Sequence, residues 1–340
     1  MLAPLRTRSR REHCGGMSPR SLLAVWIAAS TFLMAGCAGD EDDDKASSSQ
    51  ETEDPQATDA TSSTSSASVD DVVRTDLDVD VGGRSIYMRC WGEPVDGEST
   101  VLLISGQGPT LSYWDYMAAQ FALDGHHLCA YDRAGVGSSE VPPEDRRTTK
   151  DQVADLVALL DGTDLNEPLV LVAHSLGSLP AIGLASQAPE RVAGVVFLDP
   201  WTPRTRTALL AALPPEKPHE PAALTEERQF LTEFPTDPTQ NSEHLLVAAS
   251  DQEVIEQLDK PGLLFGDSTV IVLQAPLPPR PDGIPLSYHK AANAAVIGGN
   301  KELAAESADG EVIEVEDTGH NIHEDQPEVV MDAILDVLAG

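Results

Sequence analysis

Positive charge is scarce in this chain, and aromatic residues are scarcer still. Lys and Arg number 22 against 56 Asp and Glu, a formal charge of -34. That balance excludes nucleic acid as a partner, because its phosphates would be repelled. It predicts a soluble body and leaves the fold open. Aromatic residues make up 4% of the chain, so the core must rest on Val, Leu, Ile and Ala. There are only four cysteines, without the Cys/His spacing of a zinc site. A glycine-rich phosphate loop is missing too, so neither metal nor cofactor is expected. No internal repeat is evident. With 340 residues the chain can hold one large α/β domain plus extra segments.

Residues 1–37 read as a signal peptide. Arg6, Arg8, Arg10, Arg11 and Arg20 precede an apolar run from Ser21 to Gly36 that ends in small residues. Met17 offers an alternative start. Met34-Ala35-Gly36-Cys37 resembles the lipobox of bacterial lipoproteins, which implies acylation of Cys37 and a lipid anchor on the outer face of a membrane. Without the lipid, the domain would be secreted or held by the apolar run. Each outcome is extracytoplasmic. Residues 38–71 are Asp, Glu, Ser and Thr with almost nothing apolar, and are expected to form a disordered acidic tether.

The folded domain is expected to span 72–340. Alternation in Thr75–Val81 predicts a strand with one wet face, and Gly82-Gly83 turns it into a second strand, Arg84–Gly92. A wholly apolar run at Val101–Ile104, an apolar run at Val170–Ala173 and largely apolar runs at Val192–Leu198 and Thr269–Leu273 fit a parallel sheet buried on both faces. Helices are expected over Tyr113–Leu123 and Gln152–Leu160. From about 201 to 262 prolines and helical stretches replace buried strands, as in an inserted helical cap. Further helices are expected around Lys290–Ala295, Asn300–Ala305 and Pro327–Leu338, with a last strand at Val312–Val315.

The centre of this pattern is Val170-Leu171-Val172-Ala173-His174-Ser175-Leu176-Gly177. An apolar strand runs into a serine flanked by small residues, and a helix-like stretch follows. A nucleophile at the tip of such a turn has a strained backbone, so Ala173 and Gly177 must stay small to avoid the strand and helix. Four stretches in order then resemble the α/β-hydrolase superfamily. They are Ser105-Gly106-Gln107-Gly108 after the first buried strand, Tyr131–Ser138, the elbow at Ser175, and Gly319-His320 near the end. The resemblance implies an α/β fold, a mostly parallel eight-stranded sheet flanked by helices and carrying the cap.

It also implies a serine hydrolase acting on a small-molecule carboxylic ester through an acyl-enzyme. A peptidase, lactonase or cofactor-free perhydrolase would use the same residues, and a non-catalytic binding lipoprotein would use the same fold. A serine hydroxyl needs a base, and His320 follows Ser175 in the order this superfamily uses. Among the nine histidines, His174 is expected to pack beside the elbow, His323 to be structural or to face the cap, and His126 and His127 to lie on the surface. The acid that orients His320 is open between Asp199, at the end of a strand, and Asp282 in a later loop. Asp199 is preferred because a strand terminus fixes position. Leu176 and Gln107 are expected to supply oxyanion N–H groups. Asp132 and Arg133 are read as a structural pair. The second and fourth strands of this fold are neighbours, so Cys90 and Cys129 could pair or remain free thiols.

Overall fold

The computed structural model describes residues 68–340; the leader, Cys37 and the acidic stretch to residue 67 lie outside them. Eight strands form one sheet: β1 (Arg74–Asp80), β2 (Ser85–Trp91), β3 (Val101–Ile104), β4 (Leu128–Tyr131), β5 (Leu169–His174), β6 (Val192–Leu198), β7 (Val270–Gln274) and β8 (Gly310–Glu314). Their order is β1-β2-β4-β3-β5-β6-β7-β8. Only β2 runs against its neighbours, and β3 to β8 are parallel.

The short apolar strands β3, β4, β5 and β7 are buried along their whole length, because both faces are covered. Successive side chains take opposite faces. Leu102, Leu171 and Phe197 pack with Leu156, Leu159 and Ile182 of α2 (Thr149–Asp161) and α3 (Ser178–Gln187). Leu103, Val172 and Val196 pack with Phe121 of α1 (Asp115–Leu123) and with the carboxyl-terminal helix. Val69 and Val72 pack against this second core, so the end of the acidic segment joins the domain.

After β6 the chain leaves the sheet for three helices, α4 (Pro203–Ala212), α5 (Ala222–Thr232) and α6 (Val247–Leu258). Leu209, Leu224 and Leu231 form a small core of their own with Ile284, Tyr288 and Ala292. The last two belong to α7 (Leu286–Ala304), a single helix where the sequence predicts two. Gly298-Gly299 weakens the helical pattern but does not break it. A Cβ on Gly299 would lie 2.3 Å from Thr202 Oγ1 and 2.4 Å from Thr205 Oγ1, so the glycine serves the close crossing with the start of α4. Two helices close the chain, α8 (Ile322–Asp325) and α9 (Pro327–Ala339). Cys90 and Cys129 face each other in the β2–β4 register and are joined as a disulfide.

Candidate active site

The carboxyl ends of β5 and β6 carry two of the five non-glycine residues with positive φ among the described residues. Ser175 has φ 51° and Asp199 has φ 39°. Left-handed conformations cost a non-glycine residue roughly 1–3 kcal/mol, and the surroundings must hold them. Here Trp201 N–H donates to Ser175 O (3.0 Å), Asp199 N–H donates to Leu273 O (2.8 Å), and Ser178 Oγ donates to Trp201 O (2.6 Å). The small neighbours are required as the sequence predicts. A Cβ on Gly177 would lie 2.6 Å from Ile104 O and 2.7 Å from Ser105 O.

His320 reaches this place from the loop between β8 and α8. Its Nδ1 lies 2.6 Å from Asp199 Oδ2, and Ala275 N–H donates to Asp199 Oδ1 at 3.3 Å. Ser175, Asp199 and His320 line one cavity of about 340 Å³ under the cap. Asp282 is exposed and does not line it. The cavity's apolar wall comes from Leu209 and Phe230 of the cap, from Trp201, and from Leu277 of the loop after β7.

The loop after β3 lies against the elbow. A Cβ on Gly106 would come within 3.0 Å of Ser175 Cβ and 2.9 Å of His174 Nδ1, so only glycine lets the Gly106-Gln107 backbone approach this closely. Arg133 holds that loop from below. Its guanidinium donates to Ser105 O and Gly106 O, and takes both oxygens of Glu243 at 2.7 Å. Gln152 donates to the same carboxylate at 2.9 Å. Burial alone would raise the Glu243 carboxyl, but Arg133 and Gln152 hold it below its ordinary value. Arg133 is therefore structural, but its partner is Glu243 and not Asp132. Asp132 instead accepts from Leu111 N–H (2.6 Å) and Ser138 N–H (2.8 Å). The partner lies 110 residues on, and no local pattern announces it.

Behind His320 sits a buried histidine pair. His174 is beside the elbow as expected, with Nε2 3.0 Å from His320 O. His323 packs against Trp114 and Tyr113, in a structural place. Burial, reinforced by His320 and His323, pushes His174 well below its ordinary value. Burial, with His320 beside it, pushes His323 down to about 3. His127 is buried, not on the surface, and its neighbour His126 pairs with Glu98. Sequence reasoning also missed Asp251, buried beneath the cavity, where it accepts from Trp201 Nε1 at 2.8 Å and from Arg206.

The sequence profile described as the alpha/beta hydrolase family matches residues 101–333, more than half of the chain. The chain belongs to this family. RutD of Variovorax paradoxus, whose assigned name is that of a carbamate hydrolase, is 36% identical to this chain over 109 residues, 32% of this chain and 40% of that one. The match thus spans less than half of that relative's length. Among solved structures, 2-hydroxy-6-oxo-6-phenylhexa-2,4-dienoate hydrolase of Rhodococcus sp. strain RHA1 is similar at TM-score 0.53 and 18% identity, covering 79% of this chain and 100% of that one. Epoxide hydrolase A of Mycobacterium thermoresistibile is similar at TM-score 0.53 and 19% identity, covering 79% and 99%. At such identities the two structures show that this chain shares their fold.

Proposed function

We propose that this hydrolase cleaves small carboxylic esters through an acyl-enzyme on Ser175. The observation that carries the reading is the 2.6 Å contact between His320 Nδ1 and Asp199, in a cavity that Ser175 also lines. With its Nδ1–H donated to the carboxylate, the ring presents a lone pair on Nε2. That nitrogen takes the Ser175 proton as Oγ bonds to the ester carbon. The carbonyl electrons move to the oxygen, which Leu176 and Gln107 N–H groups stabilise. Re-forming the carbonyl expels the alkoxide, which leaves with the proton from His320. Water then repeats the sequence and releases the acid. Asp199 stabilises the imidazolium that forms in each half.

The apolar wall of Leu209, Phe230 and Leu277 supports a substrate with a hydrocarbon portion. The cavity's modest volume supports short to medium acyl chains over long ones. A panel of nitrophenyl esters of graded acyl length tests the reading: turnover is expected to peak at short or medium chains and fall at long ones. Failure to turn over any ester, alongside turnover of amides or epoxides, would contradict it. We also propose that Cys37 carries a lipid that holds the domain outside the cytoplasm, which the leader and its lipobox-like end support.

A further inference from the structure

The amino-terminal end of β4 lies at the far end of that strand from Arg133 and the elbow. His127 and Cys129 stand two residues apart there, on one face of the chain, and Cys90 is the register partner of Cys129. All three are buried. His127 Nε2 is 3.9 Å from Cys129 Sγ, and the three potential ligand atoms lie within 4.8 Å of one another. A tetrahedral zinc centre, with Zn–S about 2.3 Å and Zn–N about 2.0 Å, separates N from S by about 3.6 Å. The His127–Cys129 spacing lies within a few tenths of an ångström of this, whereas the two sulfurs, joined as a disulfide, must part to about 3.8 Å once reduced.

Two further features fit a metal site. The other ring nitrogen of His127, Nδ1, lies 2.9 Å from Thr100 Oγ1. A partner on the second nitrogen is what fixes the ring of a metal-binding histidine. Cys90 and His127 also border a groove of about 1070 Å³ whose rim carries Asp78, Asp80, Glu93, Asp96, Asp161 and Asp164. A cleft lined by one sign of charge concentrates counter-ions, here cations.

We propose that Cys90, His127 and Cys129 form a redox-gated site for a thiophilic divalent cation such as zinc, closed when the cysteines are joined and open when they are reduced. In the opening step a dithiol reductant passes two electrons and two protons to the disulfide and becomes a disulfide itself. The cation then binds two thiolates and the His127 imidazole, displacing two protons, with its oxidation state unchanged and water in the fourth position. Disulfide exchange with an oxidised partner runs the sequence backwards. The sequence hides this site, because His127 reads as a surface residue and not as a buried neighbour of the cysteine pair. The proposal does not depend on ester cleavage.

Cobalt(II) tests it, because thiolate ligation gives a charge-transfer band that nitrogen and oxygen ligands do not. The full chain is reduced with a dithiol, desalted without oxygen and titrated with cobalt. One equivalent is expected to bind with that band and to be displaced by zinc, while the oxidised chain shows none. Thr100→Val is expected to weaken binding about 10–100-fold, and His127→Gln to weaken it further. If the reduced chain loses its fold, zinc is expected to restore its circular dichroism in the wild type and not in His127→Gln. A band equally strong in His127→Gln or in the oxidised chain overturns the proposal. So does a reduced chain that neither gives the band nor responds to zinc.

Discussion

Acid should weaken this protein well before its carboxylates titrate, because of the histidines behind the active site. His174 and His323 are buried, and burial holds both below the ordinary histidine value, His323 at about 3. In the unfolded chain each would take up a proton near pH 6.5. The unfolded state therefore binds more protons, and stability rises with pH across this range. It is complete above about pH 6.5 and is lost as pH falls toward the folded values. One proton per histidine corresponds to about 1.4 kcal/mol per pH unit. From pH 6.5 to 5.0 that is about 2 kcal/mol for each residue and about 4 kcal/mol for both. His127, also lowered by burial, adds in the same direction. Ordinary domain stabilities are about 5–15 kcal/mol, so the loss is a large share. Aspartates held low by their partners, such as Asp76, contribute only at lower pH. Urea unfolding at pH 7.5, 6.5 and 5.0, followed by circular dichroism, measures the slope. His323→Phe, which keeps an aromatic ring against Trp114 and Tyr113, should remove about 2 kcal/mol of the loss. A wild-type stability that stays flat from pH 6.5 to 5.0, or a slope that His323→Phe leaves unchanged, would refute the reasoning.

Two other outcomes are expected. Asp199→Asn should lower kcat by about 10⁴-fold by leaving His320 in the wrong tautomer, whereas Asp282→Asn should keep full turnover. Steady-state kinetics on the best nitrophenyl ester decides between them, and full turnover by both variants would remove Asp199 from its assigned role. In a bacterial host that processes lipoproteins, the full chain should sediment with membranes carrying a diacylglyceryl mass on Cys37, and Cys37→Ser should not. Equal partition of the two chains would count against the anchor.

The parts of this molecule that local chemistry dictates are legible in the amino-acid order alone. Val101–Ile104 and Val170–Ala173 fit strands buried on both faces, and Ala173, Ser175 and Gly177 mark a tight strand-to-helix turn. Asp199 is preferred to Asp282 as a candidate because a strand terminus is held more rigidly than a proline-rich loop, and Asp282 does not line the cavity. What stays hidden depends on distance along the chain. Glu243 meets Arg133 only after the cap folds back, and Asp251 meets Trp201 across the same return. His127 reads as a surface residue, yet it is buried, with its carbonyl accepting from Val101 N–H and its ring against Thr100. Helix α7 reads as two because Gly298-Gly299 looks like a break, whereas tight packing on Thr202 and Thr205 is what demands the second glycine.

A fluorophosphonate probe reports most directly on the central claim, which is that His320 and Asp199 make Ser175 a nucleophile. Intact-mass and peptide analysis should show one adduct per chain, located on Ser175, and none on Ser175→Ala. An adduct that persists in Ser175→Ala, or a wild-type chain that stays unlabelled, would contradict the account.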